Sequence, residues 1–151
     1  MKSSGEAYLC GMDIRPHITQ VFIKWEVDGQ QVLMIYLSRS GAINRLGDGQ
    51  AEPEVTQLCM GRVAEPWLEE WLGQLDPAWL EQAGRYTMPD PKGKMCTLAI
   101  ALEGEDLDTG FAFTYGSESM GPPEEMVQLV DVALELTDEW YEDQLPKKQR
   151  K

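Results

Sequence analysis

Ser119 has the first claim on chemistry in this sequence. It lies in G-S-E-S-M-G-P-P-E-E, Gly116 to Glu125, between the strand-like F-A-F-T-Y and a helical pattern. Strand, tight turn, serine and helix are the setting of a nucleophile elbow. The elbow needs glycine two positions before the serine, because its strained turn has no room for a side chain. Ser117 stands there instead. The single histidine, His17, lies about a hundred residues upstream, whereas triads on that fold run serine, acid, histidine. The two prolines that follow remove backbone donors, and the two glutamates repel an anion. Both residue types suit a helix start. The stretch therefore reads as a turn and cap, and no catalytic residue is assigned.

The acidic turn G-E-D-L-D-T-G, with Glu103, Glu105, Asp106 and Asp108, suggests calcium. An EF-hand loop starting at Asp106 would need glycine at position 6 and glutamate at 12. Here glycine falls at 5 and Ser117 at 12. The stretch reads as a solvated hairpin tip, and no metal or other cofactor is expected. Paired carboxylates for glycoside chemistry exist in any acidic chain, so a carboxylate-dependent hydrolase is only a third functional reading. R-S-G-A-I-N-R-L-G-D-G lacks the spacing and the lysine of a P-loop. Cys10, Cys59 and Cys96 form no C-x-x-C. Cys59 and Cys96 read as small core residues.

The elements that must position these residues follow from hydrophobic period. The chain of 151 residues is 42% hydrophobic with five tryptophans, enough for one domain with a core. Residues 1–17 show no clear period and read as a loosely ordered lead-in. Val21, Ile23, Trp25 and Val27 alternate with Gln20, Lys24 and Glu26, predicting a half-buried strand. Asp28-Gly29 predicts a hairpin turn. Q-V-L-M-I-Y-L is apolar on both faces and suits a central strand, and A-I-N-R-L adds a possible third. A polar loop precedes a helix entered at Pro66, with Trp67, Leu68, Trp71, Leu72 and Leu75 on one stripe. Asp76-Pro77 ends it and opens a short second helix, A-W-L-E-Q-A. Cys96, Leu98, Ile100 and Leu102 share one face of the next strand, and F-A-F-T-Y returns. From Pro122 to about Gln144, apolar residues from Met126 to Tyr141 recur at helical spacing.

The expected fold is α+β: a two-layer sandwich of a mostly antiparallel sheet with helices on one face, in the order β-β-(β)-α-α-β-β-α. Residues 18–144 form the single domain, and 145–151 a flexible basic tail.

Charge is segregated along this order. Residues 103–143 hold 13 acidic side chains and no Lys or Arg, while 144–151 hold four basic ones; the chain nets −13. That sign opposes binding to nucleic acid or to an anionic membrane. It attracts a basic protein. No apolar run is long enough to span a bilayer and no signal peptide is recognisable, so a cytoplasmic location is expected.

Y-L-S-R-S-G-A-I-N-R-L-G-D-G, F-T-Y-G-S-E-S-M-G-P-P-E-E and L-T-D-E-W-Y resemble segments of the small acidic immunity proteins that antagonise bacterial polymorphic and type VI toxins. The resemblance implies a non-catalytic protein that covers the active site of a cognate basic toxin. The ending A-L-E-L-T-D-E-W-Y-E-D-Q-L resembles the last helix of class I type III secretion chaperones. Those chaperones open with an amphipathic helix that helps bind the effector, and Gly5, Gly11 and Pro16 depart from it. The expected partner contacts are Asp106, Asp108, Glu118, Glu139, Glu142 and Asp143. Together they would form one carboxylate-rich patch, made from the hairpin tip and the end of the last helix.

Overall fold

The computed structural model describes residues 13–146. Residues 1–12 and 147–151, which hold Cys10, most of the lead-in and the basic end of the tail, lie outside the described residues. The fold is α+β. Seven strands form one sheet in the order β4-β3-β2-β1-β6-β7-β5. They are β1 Ile18–Val27, β2 Gln30–Ser38, β3 Ala42–Leu46, β4 Leu58–Arg62, β5 Gly84–Thr87, β6 Met95–Gly104 and β7 Leu107–Gly116. All neighbours pair antiparallel except β5, which runs parallel to β7.

β1 lies at the centre, paired to β2 and β6, because its alternation gives one fully apolar face. Asp28 and Gly29 both have positive φ, 56° and 81°, the geometry the tight β1–β2 turn requires. Ile23, Leu33, Ile35, Leu98, Ile100 and Phe113 point from the sheet into a common core. Two helices cover that face: α1, Trp67–Leu72, and α2, Glu124–Gln144. α1 contributes Leu68, Trp71 and Leu72; α2 contributes Met126, Leu129, Val130 and Ala133. The indole of Trp71, fully buried, donates to the Leu129 carbonyl of α2 at 2.8 Å and fixes one helix against the other. Among the described residues no helix covers the opposite sheet face. That face carries the Phe22–Tyr36 ring pair, 4.6 Å between centroids, and exposes Leu58 and Met60 at the β4 edge.

Several expectations change. β4 and β5 were not anticipated. Both are short edge strands, and Cys59 is the single buried residue between them. α1 stops at Leu72, with Gly73 as its cap, and the segment Pro77–Gln82 is a 3₁₀ helix whose start is capped by Asp76 accepting from the Ala78 N–H. The turn after β6 is only Glu105 and Asp106, so Asp108 belongs to β7, paired with Glu103.

The chain is already packed before β1. Ile14 is buried, Arg15–His17 form a 3₁₀ turn, and the Arg15 guanidinium donates to the Leu75 carbonyl at 2.9 Å. At the other end Leu145 is buried with Val55, Cys59 and Tyr141. Residues 13–17 and Leu145 thus belong to the packed structure, because each finds apolar or carbonyl partners that their own segments do not reveal.

Candidate functional site

α2 carries eight carboxylates: Glu124, Glu125, Asp131, Glu135, Asp138, Glu139, Glu142 and Asp143. All are exposed, and the helix has no Lys or Arg. Twenty-one residues make a rod about 30 Å long. Asp131, Glu135, Glu139 and Asp143 fall at i, i+4 spacing, a ridge of like charges inclined to the axis on the exposed side of the helix. Each such pair destabilises an isolated helix by about 0.2–0.5 kcal/mol. The acids in the final turns also oppose the negative end of the helix dipole. Folding alone does not select this arrangement.

Asp138 has a folding role. It receives Nη1 of Arg45 at 2.8 Å. Arg45 projects inward from β3 and is 1% exposed, while Asp138 is 54% exposed. The same Nη1 donates to the Thr137 hydroxyl at 2.8 Å, and Nε donates to the Gly47 carbonyl at 3.0 Å. The Thr137 hydroxyl in turn donates to the Ala133 carbonyl one turn back, 2.8 Å away. The guanidinium lies over the Tyr141 ring, 4.7 Å from its centroid. Tyr141 accepts from the Gly47 N–H at 3.0 Å and donates to the Gln57 carbonyl. Burial pushes the Tyr141 phenol above its ordinary value, so it holds its proton as a donor. Gly47 must be glycine: its φ is +99°, and a Cβ there would meet the Val32 carbonyl oxygen at 2.1 Å.

These contacts tie β3, the 47–57 loop and the end of α2 into one unit. Between them is a cleft of about 100 Å³, lined by Arg45, Asp48, Val55, Asp138, Tyr141, Glu142 and Leu145. Asp48 shapes its loop wall by accepting the N–H groups of Gln50 and Glu54 at 3.1 and 3.0 Å. The mouth is thus framed by three carboxylates around one buried cation. Three carboxylates against one guanidinium leave the mouth negative, which favours positive groups near it.

The six residues expected to act together are all exposed but divide among three places. Glu139, Glu142 and Asp143 are on the last turns of α2, over the β3–β4 side, where Trp140 packs against Gly61. Asp106 and Asp108 lie at the start of β7, with β6, β1 and β2 between them and β3. At about 4.8 Å per strand that is roughly 19 Å across the sheet. Glu118 lies beyond the far end of β7, about 30 Å from Asp106 at about 3.3 Å per residue. The six residues thus lie on one acidic helix ridge and in two outlying acidic turns.

Ser119 sits in a hydrogen-bonded turn after β7. Its Oγ accepts the Lys92 N–H at 3.2 Å and donates to the Gly116 carbonyl at 3.3 Å, while Ser117 accepts from Lys94 at 2.9 Å. The serines pin the 92–94 loop to the end of β7. Neither caps α2, whose N-cap residue is Pro123. His17 lies beside Gly104, at the other end of β6. Cys59 and Cys96 are buried free thiols, and burial raises both above the ordinary thiol range. Among the described residues no three His, Cys, Asp or Glu side chains group as a metal site, and no helix is long and apolar enough to cross a membrane.

Sequence reasoning missed Arg45, the residue that organises the cleft. The signal was present as parity: in A-I-N-R-L, Arg45 shares a face with Ile43, and Ile43 is core. No protein-family model matches the chain, and no curated protein matches its sequence.

Proposed function

We propose that this protein is a stoichiometric antagonist of the immunity type, which uses the acidic face of α2 and the adjoining cleft to cover a basic surface on a toxin domain. The observation that carries this reading is the row Asp131, Glu135, Glu139 and Asp143 on an ordered helix with no basic residue. Four like charges in line weaken the helix that bears them. The compensation is long-range attraction of a positively charged partner, and a rigid frame once it arrives. The partner is a protein, since the same charges repel nucleic-acid phosphates and anionic lipid. The setting is cytoplasmic, where a producing cell would need protection from such a toxin.

The test is capture of the partner from the source organism's lysate, followed by neutralisation at one-to-one stoichiometry. The triple variant Glu135→Lys, Glu139→Lys, Glu142→Lys should associate at least tenfold more slowly and lose most of its salt dependence. Unchanged association by the triple variant removes the ridge from the account.

A second reading, a secretion-type chaperone, is favoured by one feature. The sheet face that no described helix covers exposes Leu58 and Met60 and, across β3, carries the Phe22–Tyr36 pair, a surface an extended apolar segment could line. A dimer that retains an unfolded effector segment after the triple reversal would select that reading.

A further inference from the structure

Beside the acidic row lies a groove of a different kind. It runs between the N-terminal half of α2 and the end of the sheet, encloses about 200 Å³, and is lined by Trp25, Leu98, Tyr115, Val127 and Leu134, with Asp131 at its rim. On α2, Val127, Val130, Asp131 and Leu134 follow i, i+3, i+4, i+7, one stripe of the helix. Val127 is 40% exposed although it is a large apolar residue on a helix rich in polar alternatives. The volume is of the order of the roughly 150 Å³ apolar cavity that accepts a benzene ring. It suits one aromatic or branched aliphatic side chain.

The polar groups narrow the occupant. Trp25 Nε1 donates to the Tyr115 hydroxyl at 3.0 Å, which uses the indole's single donor. The phenol keeps its own proton for an acceptor, and burial holds that proton in place by raising the phenol above its ordinary range. Asp131 is the first member of the i, i+4 row, so the groove opens directly onto the negative ridge. An apolar group entering here has positive neighbours favoured on the ridge side and a carbonyl favoured at Tyr115.

We propose that this groove, where the Trp25–Tyr115 pair meets Val127, Leu134 and Asp131, is the anchor pocket for one apolar side chain of a basic protein partner, flanked in that partner by Arg or Lys. The pocket deepens the antagonist reading and rests on it: the ridge supplies attraction and the groove supplies the buried contact that slows release. Hot spots of interfaces have this form, an apolar anchor in a pocket beside a charged rim.

The test uses three tripeptide amides, acetyl-Arg-Phe-Arg, acetyl-Arg-Ala-Arg and acetyl-Glu-Phe-Glu, titrated into the full chain. Binding is read from the Trp25 indole N–H and the amides of 127–134 by NMR. Arg-Phe-Arg should shift these signals saturably, with an affinity at least tenfold above each of the others. Val127→Lys, at an exposed position that leaves the core intact, should reduce that affinity at least tenfold. Tyr115→Phe should reduce it several-fold.

Equal binding of the Phe and Ala peptides overturns the pocket but leaves the ridge standing, because charge alone would then explain capture. Equal binding of Arg-Phe-Arg and Glu-Phe-Glu overturns the basic partner and makes the groove a site for small apolar molecules. Trp25 signals that move on dilution without peptide would show a second copy of this chain in the groove and overturn the proposal. Binding of Arg-Phe-Arg that leaves the Trp25 signal unmoved also overturns it. The ridge is judged separately, by the salt dependence of the triple variant.

Discussion

The two halves of α2 solve the same packing problem differently. The C-terminal half is locked: Arg45 reaches Thr137 and Asp138, Tyr141 ties Gly47 to Gln57, and Trp140 sits against Gly61. The N-terminal half is held mainly by its buried stripe and by Trp71 on Leu129, with an open groove on each flank. One flank is the apolar groove at Trp25 and Tyr115. The other, about 220 Å³, sets Trp79 among Asp76, Glu125 and Gln128. A helix fixed at one end by polar contacts and bordered at the other by one apolar and one mixed groove presents a charged surface next to two recesses.

The largest effect should come from breaking the locked half. Arg45→Ala removes several hydrogen bonds, the stacking on Tyr141 and the filling of a buried site, and should cost about 3 kcal/mol in urea denaturation. Asp138→Ala leaves a buried guanidinium without its carboxylate. Asp138 is half exposed and water replaces part of its role, so about 2 kcal/mol is expected. Tyr141→Phe should cost about 1–2 kcal/mol by orphaning the Gly47 N–H.

That last variant also sharpens the comparison by pH. The folded state holds the Tyr141 proton more tightly than the unfolded chain, whose phenol titrates near its ordinary 10.0. The contribution is complete below that value and is lost as pH rises through the folded-state value. Wild-type stability should therefore fall above pH 10 more steeply than that of Tyr141→Phe. In the open half, Val127→Ala should change stability by less than about 0.5 kcal/mol. The last effect has the opposite sign. Glu135→Lys removes two like-charge i, i+4 contacts and should stabilise the protein by about 0.5 kcal/mol while weakening partner capture. A loss of stability there would mean that the row has a structural role.

The central elements were legible because their period is strong. β1 and β6 alternate over ten residues, and α2 keeps its stripe from Met126 to Tyr141. β4 and β5 were not legible, since an edge strand of four or five residues with little or nothing buried has no inward pattern to read. The acidic segment was legible as composition but not as surface. Its 41 consecutive residues begin on β6, cross β7 and end over β3 and β4, so neighbours in sequence separate in space. Arg45 was hidden for another reason. Its partners, Thr137, Asp138 and Tyr141, lie about ninety positions later, and nothing local distinguishes a buried arginine from a surface one.

The central position of β1 has a consequence for synthesis. One of its neighbours, β2, follows across a two-residue turn, but the other, β6, pairs Ile18 with Gly104 and Val27 with Cys96. On the ribosome, the central strand of the sheet keeps one edge unpaired until about seventy later residues have emerged. Pairing at such sequence distance is slow, and an unpaired apolar edge is a template for self-association. Nascent chains stalled before Met95 should therefore be recovered as aggregates or bound to chaperones, and chains extended past Gly116 as soluble protein.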